Sequence, residues 1–91
     1  MKEEQRLAMI GAANKTLDYL KVKPFAELDD IIKHIVTSSN FSRKKEQLKV
    51  LEVASANHVM KVKRGNLNSP NREIMEEFMK DLDKIFEKSS F

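Results

Sequence analysis

The sequence predicts an all-α fold: a single domain over residues 1–91, built as a compact bundle of about four helices in up-down order. Three observations carry this expectation. Apolar residues recur three or four positions apart, the spacing that gathers them on one helix face. Glycine and proline number two each, too few for a chain of many β-turns. The polar breaks between periodic segments are short, which suits antiparallel neighbours.

Helix one is expected over residues 2–21. Leu7, Ile10, Ala13, Leu17 and Leu20 share a face, and Gly11 beside two alanines reads as a site of close helix packing, at about 1 kcal/mol of lost propensity. Lys23-Pro24 ends the helix, because the residue before proline is pushed towards extended geometry. Pro24 then suits the first turn of helix two, expected over 24–37. Its buried stripe reads Phe25, Leu28, Ile31, Ile32, Ile35 and Val36, and Asp29 and Asp30 favour its positive end.

The run 37–40, Thr-Ser-Ser-Asn, closes helix two, and Asn40 or Ser42 can cap helix three, expected over 42–64. Leu48, Leu51, Ser55, Val59 and Val62 form its seam, and Val50, Val53, Ala54 and Met60 widen it. A helix apolar on so many sides is expected at the centre of the bundle. Gly65 reads as a left-handed stop. Ser69 and Pro70 open helix four, expected over 70–88, with Ile74, Phe78, Leu82 and Ile85 inward and Glu76–Lys80 as an i,i+4 pair.

The charge is uneven. Residues 1–40 hold six basic and six acidic side chains, residues 66–91 four and six, and residues 41–65 seven basic against two acidic. The positive excess therefore lies in one segment, at both ends of helix three. Lys61, Lys63 and Arg64 complement the free carbonyls of a last helical turn. Arg43, Lys44 and Lys45 oppose the dipole at the other end, and a local rule broken without evident compensation points towards function. With Gln47 and Lys49 they form a candidate nucleic-acid grip, presented from a helix start as recognition helices present theirs. Phe41 is the one aromatic nearby, which argues against a base-stacking reader.

No catalytic or cofactor signature appears. Cysteine is absent, so disulfides and thiolate metal sites are excluded. His34 can pair with Asp30 four residues before it, and His58 reads as a partly buried, hydrogen-bonded side chain at the edge of the helix-three seam. Neither has the spaced partners a zinc site needs. Glu73, Glu76, Glu77, Asp81 and Asp83 read as a solvated face. Neither glycine stands in a phosphate-binding pattern. Met75, Phe78, Met79, Phe86 and Phe91 crowd pliable apolar groups into the last helix and tail. They read first as core and, where uncovered, as a protein interface.

In size, charge and helix count the chain is similar to the small basic bundles that act as bacteriocin immunity proteins, and equally to small phage or plasmid regulators. The expectation is a cytoplasmic, non-enzymatic protein-binding or regulatory module without cofactor, metal, membrane span or evident small-molecule substrate. Its partner is expected to be another protein or a second copy. The alternative is a DNA-binding regulator using the start of helix three.

Overall fold

The structure, a computed structural model, describes residues 1–38 and 44–89. Four helices are present: α1 (Glu3–Val22), α2 (Leu28–Ser38), α3 (Glu46–Gly65) and α4 (Asn71–Ser89), with no strand among the described residues.

At the start of α1 the Gln5 side-chain carbonyl accepts the Lys2 backbone N–H at 2.8 Å, satisfying a donor just outside the helix. The buried stripe of α1 runs through Gln5, Met9, Ala12, Ala13, Thr16, Leu17 and Leu20. This corrects the expected seam at one end, since Leu7 is 58% exposed. Leu7 precedes Met9 by two residues and so lies about 200° around the helix from it. Small residues decide which face turns inward, as Ala12, Ala13 and Thr16 allow α3 to approach closely.

The first connection departs most from expectation. Helix α2 begins at Leu28, four residues after Pro24, because Pro24 serves a β-turn instead of a helix start. The Ala26 N–H donates to the Lys23 carbonyl at 3.1 Å across Pro24 and Phe25. Proline at the second position and negative φ at the third are the marks of a type I turn. The Glu27 carbonyl then accepts the first helical bond, from Ile31, and the Asp30 carboxylate accepts the Glu27 N–H at 3.2 Å. Phe25 is thereby removed from the buried stripe, and Val36 is also exposed; Ile31 and Ile35 carry the burial.

Helix α3 starts at Glu46, later than position 42, with the Lys45 carbonyl accepting the first N–H groups; the proposed caps Asn40 and Ser42 lie outside the described residues. Gly65 is helical and has no positive φ, which corrects the expected left-handed stop. The end is made by Asn66, whose side-chain Nδ2 donates to the Val62 carbonyl at 2.9 Å. Helix α4 takes its first acceptor from Pro70, so proline stands one place before the helix and not inside it. Glu76 pairs with Arg72 at 3.9 Å, in place of the expected Lys80.

Helix α3 is central, as its broad apolar surface implied, and packs against each of the other three helices. Its principal partner is α1. In a square ring of sequential neighbours these two would be diagonal. Here they pack directly, and Ala12, Ala13 and Thr16 of α1 and Ser55 and Ala56 of α3 are all buried. The two hydroxyls cost little in this seam because Thr16 Oγ1 donates to the Ala12 carbonyl and Ser55 Oγ to the Leu51 carbonyl, both at 2.8 Å. One core cluster, around Met9, Leu17, Leu51, Val59, Phe78 and Leu82, joins this pair to α4. The second, around Leu20, Ile31, Ile35 and Met60, joins it to α2. Leu20 and Phe25 share a groove with Lys63, Leu67 and Asn71, so α1 and α3 end, and α4 begins, at the same pole, while Leu28 at the start of α2 lies against the first half of α3.

Candidate docking surface at one pole of the bundle

That pole carries the most exposed large apolar side chains among the described residues. Phe25 is 90% exposed, Val22 78% and Leu67 63%. Each position follows from local chemistry. Val22 ends α1 two residues beyond Leu20, its last buried position. Phe25 stands at the third position of the Pro24 turn. Leu67 stands at the second position of a β-turn closed by the Ser69 N–H to the Asn66 carbonyl at 3.0 Å.

Two cations at the end of α3 hold these turns in place. Arg64 Nη2 donates to the Ala26 carbonyl at 2.9 Å, fastening the first turn to a helix 38 positions further along the chain. Lys63 Nζ donates to the Ser69 carbonyl at 2.8 Å, closing the second. This gives the cluster at 61–64 a role beyond complementing a helix terminus. Two of its three cations brace the loops that display Phe25 and Leu67.

Between the turns lies an open groove of about 370 Å³, with Leu20, Pro24, Phe25 and Leu67 as apolar lining and Lys21 and Lys63 as the charged part. Monomeric proteins rarely leave contiguous large apolar groups uncovered, and those they do leave are often binding surfaces. The residues were legible only in part. An apolar residue directly after Pro24, and one between Asn66 and Asn68, are large side chains set among turn formers, and that is the available sequence signal.

The basic start of α3 is differently placed. Lys44 Nζ lies 2.9 Å from the Glu52 carboxylate, a side chain only 1% exposed, and is itself 27% exposed. One of the three cations that seemed uncompensated is therefore the counter-ion of a buried acid. Lys49 is half-buried and 3.8 Å from Glu46. Lys45 and Gln47 are exposed, and Arg43 lies outside the described residues. The structure thus brings Lys44, Lys45, Gln47 and Lys49 to one helix start, with Lys44 turned towards an acid.

Of the apolar candidates in α4, Phe78 is fully buried and belongs to the core. Met75, Met79 and Phe86 are half-buried and pack along the same cluster, and Phe91 lies outside the described residues. His34 packs against the Tyr19 ring at 4.7 Å between centroids, tilted by 39°, joining α2 to α1. His58 faces Asp81 across the α3–α4 seam, with Nε2 at 3.4 Å from the carboxylate but without a hydrogen bond. Among the described residues no three His, Cys, Asp or Glu side chains converge as metal ligands, and no helix is long and apolar enough to cross a membrane. Compared with protein-family models, curated proteins and solved structures, the chain matches none.

Proposed function

We propose that this chain is a small non-enzymatic protein-binding module of regulatory or adaptor type, and that it docks through the pole formed by the two braced turns. The observation that carries the reading is that exposed Phe25 and Leu67 line one groove, on turns fastened to α3 by Arg64 and Lys63. Removing apolar surface from water is the main favourable term in most protein–protein association. Displaying them on rigid turns reduces the ordering cost that association must overcome. The half-buried Met75, Met79 and Phe86 offer less, since they already cover the core of their own chain. The nucleic-acid alternative is less well supported, because Lys44 neutralises Glu52 and Lys49 lies near Glu46.

A photo-crosslinking residue placed at position 25, in the cells from which the chain comes, is expected to yield a discrete protein adduct. The same group at Asp29, exposed on the first turn of α2, is the control and is expected to yield none. Equal labelling at both positions, or none at position 25, would overturn the assignment.

A further inference from the structure

We propose that the occupant of this pole is a short acidic segment of a partner protein, carrying one large apolar anchor that fills the groove between the turns. The inference rests on the pole being a docking surface and specifies what docks there.

The shape calls for an anchor. Leu20, Pro24, Phe25 and Leu67 line the groove, and its roughly 370 Å³ accommodates a large aliphatic or aromatic side chain. Burial of such a side chain favours binding, and the turns that form the groove walls are held before it.

The charge selects an acidic flank. Lys21 and Lys63 line the groove and no carboxylate does. Lys23 and Arg64 stand next to these elements in the chain. Lys63 and Arg64 donate to neutral carbonyls, and Lys23 lies 5.7 Å from the centre of the Tyr19 ring. None of these contacts cancels a positive charge. A partner with carboxylates beside its anchor gains steering and register from them, while one with lysines there is repelled.

The same cations disfavour a second copy, whose identical pole would set Lys21 and Lys63 against their own counterparts.

The test is selection of short random peptides displayed on phage against the full chain, with the Phe25→Ser/Leu67→Ser variant as counter-selection. Both positions are exposed, so the variant is expected to fold, and its circular dichroism and melting should match those of the parent. Peptides that bind the parent and not the variant are expected to carry a large apolar residue flanked by Asp or Glu. Their affinity should fall with added salt and at least about tenfold on Lys21→Glu with Lys23→Glu.

Pole-dependent peptides with neutral or basic flanks would overturn the acidic class and leave the docking surface standing. Absence of any pole-dependent peptide would overturn both. Two further measurements complete the test with the same variant. Phe25-dependent binding to phosphatidylserine vesicles would assign the surface to lipid. Phe25-dependent dimerisation in sedimentation would assign it to a second copy. Either result would overturn the proposal.

Discussion

The Lys44–Glu52 pair shows what single residues contribute here. Glu52 is buried inside α3, and an isolated carboxylate in that position would be strongly disfavoured. Lys44, two residues before the helix, supplies the opposing charge at 2.9 Å. Removing it with Lys44→Met should cost about 1–3 kcal/mol, because the acid is left buried without its partner. Replacing both, as Lys44→Met with Glu52→Leu, should recover most of that loss. Urea unfolding of the two single variants and the double variant measures the coupling. Near-additive losses would mean that the pair does not act as a unit. Gly11 is the opposite case, a residue whose lack of a side chain serves no contact. A Cβ built there meets nothing within 4 Å, which corrects the close-packing expectation. Gly11→Ala should therefore stabilise the protein by up to about 1 kcal/mol, read as a higher urea midpoint at unchanged slope.

At the scale of elements, the connections hold most of the information that periodicity missed. Proline after a helix can open the next helix or form a turn, and both uses satisfy its fixed φ and missing N–H. Here the turn prevails, with Arg64 at the end of α3 holding the Ala26 carbonyl. Arg64→Ala should leave the four helices formed while loosening this turn. Amide hydrogen exchange at Ala26, whose N–H closes the turn, should become faster than in the parent, and stability should fall by about 1 kcal/mol. Unchanged exchange at Ala26 would show that the turn stands without its brace. Helix α4 is the contrasting element. Ile74, Phe78, Leu82 and Ile85 are all buried, as their spacing requires, because one strong stripe facing one core leaves no competing orientation.

At the scale of the whole molecule, the defining feature is the direct packing of α1 on α3, with α2 and α4 on their flanks. Small side chains make this possible, and Ala56 is among them at 0% exposure. Ala56→Leu should force the two helices apart and cost about 1–3 kcal/mol, whereas an enlarged residue at an open position would not. A thermal melt unchanged by this substitution would refute close packing at that seam. The same arrangement creates the pole, because α1 and α3 end together there and each hands the chain to a connecting turn. The amino-acid sequence by itself determined the helical class, the number of helices, the central place of α3 and the inward face of α4. All of these follow from apolar spacing and from residues that stop a helix, which are local properties. Only the tertiary structure decided which face of α1 turns inward, that Lys44 answers Glu52, and that Phe25 and Leu67 stand exposed side by side. These depend on neighbours distant in the chain: the α3 surface that selects small residues over Leu7, and an arginine 38 positions away that holds the turn bearing Phe25.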